Sequence, residues 1–115
     1  MTTTGREVIL EGDERATSIL VARENITITY ALCPAGQTVA GPHVHNRHTD
    51  AFYVIEGELE LTMHGADERF KAGELADVPV GVDHTFNHRA DERGRVLNVH
   101  APNRGFADTV RQMAQ

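Results

Sequence analysis

The sequence predicts an all-β domain, a sandwich or closed barrel of short strands finished by one C-terminal helix. Three observations carry this reading. Short β-type runs separated by Gly, Pro, Asn and Asp recur along the chain at about ten-residue intervals. Several of those runs alternate apolar and polar residues with a period of two, the mark of a strand buried on one face. Helical spacing of apolar residues occurs only in the tail, from Gly105 onward.

The elements follow in order. Val8-Ile-Leu10 is a short apolar run near the start, and Ile19-Leu-Val21 is the first clear strand. After Glu24-Asn25 comes Ile26-Thr-Ile-Thr-Tyr-Ala-Leu32, alternating until Pro34-Ala-Gly36 breaks it. Pro42-His-Val-His45 is extended. A long run from Ala51 to Met63 is interrupted at Glu56-Gly57, and within it Leu59, Leu61 and Met63 take one face while Glu58, Glu60 and Thr62 take the other. His64-Gly-Ala-Asp67 reads as a turn, and Glu68-Arg-Phe-Lys71 as a short edge strand. Glu74 to Val78 stops at Pro79-Val-Gly81. His84-Thr-Phe-Asn-His88 and Arg95-Val-Leu-Asn-Val-His100 complete the β portion. Pro42 and Pro79 lack an amide donor, so each belongs at a strand end or in a turn. In the tail, Phe106, Val110 and Met113 fall at i, i+4 and i+7, with Asp108 early and Arg111 late to suit the helix dipole. So short a helix needs a surface to dock on.

Composition narrows the function classes. A chain of 115 residues has room for one domain, and 40% hydrophobic content is ordinary for a globular fold. The net charge of −6 offers no basic stripe for phosphates and argues against a nucleic-acid partner. Arg89, Arg93 and Arg95 are interleaved with acids and read as a solvated hairpin. Apolar runs fall far short of the ~20 residues of a membrane span, and the charged N-terminus lacks a signal peptide's apolar core. A cytoplasmic protein is expected. The lone Cys33 precludes an internal disulfide and reads as a small buried residue. Seven histidines are the one unusual count.

His43 and His45 stand two apart in an extended segment. A strand would put both rings on one face, roughly 6.5–7 Å apart along the backbone. Two such nitrogens suit Zn, Fe, Ni, Cu or Mn, although a half-exposed strand carrying two histidines would look the same. The downstream residues favour the first of these readings. Four residues separate His45 from Asp50 and six more lead to Gly57; further on comes Gly73-x5-Pro79-x-Gly81-x2-His84. This resembles the paired motifs of the cupin superfamily, Gly-x5-His-x-His-x3or4-Glu-x6-Gly and Gly-x5-Pro-x-Gly-x2-His-x3-Asn. Asp50-Ala-Phe-Tyr-Val-Ile-Glu-Gly-Glu-Leu59 and Ala101-Pro-Asn-Arg-Gly-Phe106 share that character.

The resemblance runs from about Ile26 to the C-terminus and implies a double-stranded β-helix, a jelly-roll barrel. It divides one cupin domain, residues 1–115, into an N-terminal strand region at 1–25, a barrel at 26–104 and a C-terminal helix at 105–115. By motif position it implies one divalent transition metal on His43, His45, Asp50 and His84. Three neutral nitrogens and one carboxylate would leave open positions for water, O2 or a chelating substrate. Such histidines must be neutral, so metal affinity should fall as the pH drops below about 6.5. The chain departs from the pattern in three places. Asp50 replaces Glu and is shorter by one bond of ~1.5 Å, so it ligates directly, through water, or not at all. Gln37 stands at the first glycine position beside Gly36, and His88 stands where Asn is usual, with Asn87 just before it.

The other histidines have plainer readings beside functional ones. His48, in the loop before Asp50, is a spare ligand or pocket wall, or an exposed loop residue. His64 sits at a turn and reads as surface. His100 shares the parity of Val96 and Asn98 and is either a pocket acid or base alongside Asp50, or a strand-end surface residue. If Asp50 points into the barrel, Phe52 and Val54 follow it and wall the substrate pocket. Tyr30 and Tyr53 offer hydroxyls to that pocket or simply pack.

Three functions fit. The first is a metal-dependent oxidoreductase, resembling quercetin-dioxygenase-like cupins and acting on a small oxygen-rich molecule. The second is a Lewis-acid isomerase, cyclase or decarboxylase of a carbonyl compound. The third is a non-catalytic small-molecule-binding module or sensor. Fold alone does not choose among them. A homodimer is expected, because a small jelly roll leaves sheet faces and edges uncovered; Val8-Ile-Leu10 is a candidate for an exchanged strand.

Overall fold

The computed structural model of the chain describes residues 7–13, 15–34, 38–43, 49–88, 94–103 and 105–113, with residues 38–43, 88 and 113 as backbone alone. The strands are β1 (Glu7–Leu10), β2 (Ala16–Arg23), β3 (Ile26–Cys33), β4 (Thr38–His43), β5 (Thr49–Glu56), β6 (Glu58–Met63), β7 (Ala66–Lys71), β8 (Leu75–Val78), β9 (His84–His88) and β10 (Gly94–Ala101), followed by helix α1 (Phe106–Met113). They form two antiparallel sheets, one ordered β1-β2-β3-β10-β5-β8 and the other β4-β9-β6-β7. This is the double-stranded β-helix that the resemblance implied, with the short C-terminal helix that the apolar spacing of the tail predicted. Among the described residues, no helix is long and apolar enough to cross a membrane.

Local chemistry explains the connections. Between β5 and β6 the chain leaves one sheet for the other across the single residue Gly57, at φ 94°. A side chain there would be strained, so glycine makes the corner. The β6–β7 hairpin turns on His64 and Gly65, at φ 55° and 76°, a two-residue turn with both residues left-handed. The expected turn over residues 64–67 is therefore shorter, and β7 starts at Ala66. Pro42 lies in β4 at the edge of the four-stranded sheet, where the register shifts between Ala40 and His43. An edge position next to an irregularity tolerates a missing donor. Pro79 follows the last residue of β8.

The main core lies between the sheets and contains Cys33, Phe52, Val54, Leu59, Leu61, Ala76, Val78, Phe86 and Val96. Four strands cannot cover six, and α1 fills the remainder. Ala107 and Val110 pack on Ile19 of β2, with Ile9 and Phe106 beside them. Asn103 caps this helix by accepting the Ala107 N–H on its side-chain oxygen at 3.1 Å. The salt bridge from Arg111 to both carboxylate oxygens of Glu7, at 2.8 and 2.9 Å, ties the helix to β1. β1 pairs with β2 of its own chain and leaves Val8 and Leu10 exposed.

One polar residue departs from simple parity. Glu60 has the solvent-face phase of β6 yet is only 6% exposed, with its carboxylate 3.6 Å from Arg69 Nε.

Candidate metal centre

Asp50 is the centre of the site. It lies on the inward face of β5 and is 1% exposed, opposite His100 of β10 and Val78 of β8. A carboxylate so buried is costly unless every lone pair is answered. Asn98 Nδ2 donates to Oδ1 at 2.6 Å, and His100 Nε2 stands 3.2 Å from the same oxygen. The other oxygen, Oδ2, faces His84 Nε2 at 3.3 Å. Phe52 and Val54 share the inward face with Asp50 at 6% and 0% exposure. Phe86 backs them, its ring centroid 3.6 Å from that of Phe52 and 5.4 Å from that of His84. The site is thus a polar cluster on an apolar wall.

His84 opens β9, and its ring is held from behind. Nδ1 lies 2.8 Å from the Val82 carbonyl oxygen. A carbonyl can only accept, so Nδ1 carries the proton, and in the neutral ring Nε2 presents a lone pair. That lone pair is aimed at a carboxylate oxygen. Two such acceptors 3.3 Å apart are satisfied by a proton or a cation between them. A backbone carbonyl holding one ring nitrogen is a common support of a metal-binding histidine, whose other nitrogen is then turned to the ion. Donors each about 2.1 Å from one ion are roughly 3–3.5 Å apart in octahedral or tetrahedral shells, which accommodates the 3.3 Å observed.

The remaining site residues divide into four groups. The backbone of His43 ends β4 in register opposite His84. His45 and His48 lie outside the described residues. Among the described residues, no three His, Cys, Asp or Glu side chains make a metal-ready group. His100 is 2% exposed, and its ring stacks on Phe106 of α1 at 3.3 Å and 21°. Tyr30 is corrected: it pairs with Leu97, whose neighbours Val96 and Asn98 point inward, so it belongs to the outer face. A hydroxyl there is on the wrong side of the sheet for the pocket. A cleft of about 320 Å³ reaches His84 from outside, between the His64–Gly65 turn and Asp83.

Asn98 is the site residue that sequence reasoning passed over. Its signal was present, because it shares strand parity with Val96 and His100, but an asparagine has no ligand pattern to attract notice. The contact of Phe106 with His100 had no local signal at all.

Comparison with known proteins agrees with this architecture. The cupin domain profile matches residues 30–100. An uncharacterized protein of Aquifex aeolicus is 33% identical over 70 residues, covering 61% of this chain and 57% of its own length. The HTH-type transcriptional regulator PuuR of Escherichia coli is 28% identical over 65 residues, 56% of this chain and 35% of that protein. This chain therefore spans 57% and 35% of the length of these two curated relatives. Among solved structures, an RmlC-like cupin from Shewanella frigidimarina superposes with a TM-score of 0.75 at 21% identity, over 93% of each chain. With two motif segments carried on a two-sheet barrel, and a profile match across most of that barrel, this chain belongs to the cupin family.

Proposed function

We propose that the barrel holds one divalent transition metal through His43, His45, Asp50 and His84, and serves as a metal-dependent oxidoreductase of the dioxygenase kind on a small oxygen-rich molecule. The observation that carries this is the geometry of His84, its Nε2 3.3 Å from Asp50 Oδ2 and its Nδ1 2.8 Å from the Val82 carbonyl oxygen, deep among buried groups. When bound, the metal supplies redox or Lewis-acid activation of the substrate. The chain's own residues do the rest. Phe52, Val54 and Phe86 keep water from the buried side of the site. Asp50 and His100, 3.2 Å apart, are the pair able to hold and pass the substrate proton.

Elemental analysis of untagged protein tests the centre. About one metal per chain is expected in the wild type, lost in His43→Ala and His84→Ala; Asp50→Ala reports whether that carboxylate is a ligand. No metal in the wild type after reconstitution would reject the reading. Oxygen uptake then tests the chemistry, and turnover sustained under strict anaerobiosis would replace oxygenation with Lewis-acid action on a carbonyl. A sensor reading is favoured by one observation, the likeness to part of a transcriptional regulator. Ligand binding without turnover across a broad substrate panel would support it.

A homodimer belongs to the same proposal. The outer face of the six-stranded sheet exposes Tyr53, Ile55 and Leu75 at 40%, 42% and 58%. The Arg95–Glu56 pair at its margin, 3.3 Å apart, carries both signs. An apolar face flanked by both charges is self-complementary about a two-fold axis, so a second copy of this chain is its natural occupant.

A further inference from the structure

Asp50 is shorter than the glutamate its motif position usually carries, and it sits against a residue that no motif names. Asn98 reaches across from β10 and uses its amide nitrogen twice. It donates to Asp50 Oδ1 at 2.6 Å and to the Ala51 carbonyl at 3.1 Å. An amide NH2 has two hydrogens, and both are spent here on acceptors anchored to the same stretch of β5. Both partners only accept, so the orientation of the amide is determined by its surroundings. Asn98 is itself 8% exposed and Asp50 1%, so water does not compete freely for these bonds.

The consequence falls on the carboxylate. Rotation about its terminal torsion is soft and roughly two-fold, so a free Asp50 would present either oxygen, or both. With Oδ1 bound to Asn98 at 2.6 Å and faced by His100 Nε2 at the longer 3.2 Å, only Oδ2 is turned to His84 Nε2. We propose that Asn98 is a positioning residue for the metal centre, holding Asp50 so that it offers a single oxygen on the His84 side. This rests on the metal reading above. It also accounts for the tolerance of a short side chain here: the clamp from the neighbouring strand does the aiming that a longer glutamate would do by reach. Asparagine suits the task because an aspartate at the same place would set two carboxylates 2.6 Å apart.

The test is Co(II) affinity, measured by competition with a chromophoric chelator, on wild type, His84→Ala, Asn98→Leu and Asn98→Ser, with thermal melting of each metal-free protein. Supporting residues of this kind alter metal affinity by about 10–100-fold. Asn98→Leu is expected to bind Co(II) about 10-fold or more weakly and to change its visible spectrum, as Asp50 is freed to use both oxygens. Asn98→Ser keeps one shorter donor and should fall between. Should Asn98→Leu fail to fold, Asn98→Ser carries the comparison alone. Wild-type affinity and spectrum in every folded Asn98 variant, with binding still lost in His84→Ala, would overturn the positioning role and leave the metal centre standing. Absence of Co(II) binding by the wild type would overturn the centre itself, and this role with it.

Discussion

Cys33 shows how position decides the behaviour of a single residue. At 4% exposure among apolar neighbours, burial pushes its thiol up to about 11 from the ordinary 9.0. The thiolate is the nucleophile, so native protein at pH 8 should resist iodoacetamide and react only once denaturant is added. Rapid labelling of the native state would contradict the burial. The linkage has a definite sign. The folded chain keeps this proton to higher pH than the unfolded chain, so the contribution to stability is complete below pH 9.0 and is lost as the pH rises toward about 11. Phe86 makes the complementary case for packing. It is 0% exposed, touches both Phe52 and His84, and its truncation to alanine should cost about 3–5 kcal/mol in denaturant titration. A loss below about 1 kcal/mol would mean that the wall behind the site collapses to fill the gap.

Among the elements, α1 has the most to explain. Eight residues are too few to be helical alone, so its stability comes from docking. Val110 is buried against Ile19, and Val110→Ala should cost about 1.5–2 kcal/mol for two methyl-sized groups. Equilibrium unfolding checks this, and an unchanged midpoint would mean that the helix is not part of the cooperative unit. At the other contact, Arg111 holds the Glu7 carboxyl below its usual range by a direct hydrogen bond. Whatever this pair contributes is present above pH 4.5 and fades as the pH falls through the lowered value. Both residues are open to water, so salt should weaken the link between helix and β1. Phe106 extends the helix to the site by stacking on His100. Phe106→Ala should therefore loosen His100 as well as the helix, visible as a shifted His100 imidazole resonance in NMR spectra.

For the whole molecule, the open question is how many copies work together. Light scattering should give twice the chain mass for the wild type and the single mass for a Tyr53→Glu, Leu75→Glu double variant with unchanged circular dichroism. A monomeric wild type would leave the outer face of the larger sheet without its proposed occupant. The molecule is also asymmetric about its core in a way that matters for the site. The four-stranded sheet covers one part of the six-stranded sheet and α1 covers another, with Asp50 and His84 on the first side and Phe106 reaching His100 from the second. Helix α1 thus touches the residue that faces the carboxylate from β10.

Much of this was legible in the residues. Period-two alternation and turn residues marked the strands from β2 onward to within a few positions, β4 excepted, which begins at Thr38 where only Pro42 to His45 was read as extended, and the i, i+4 spacing of Phe106 and Val110 marked the helix, because local backbone geometry sets which side chains share a face. The same parity put Phe52 and Val54 on the side of Asp50 and aligned His100 with Asn98. What it could not supply was the pairing of strands far apart in sequence. Tyr30 was misassigned to the pocket because its face depends on its register with Leu97, and Asn98 was passed over because its partner is 48 residues away. The contacts of Asp50 with His84 and Asn98 and the ring of Phe106 on His100 arise only where the closed chain brings separate strands and the tail together. Local sequence determines faces and ends, and tertiary closure decides which groups meet across them.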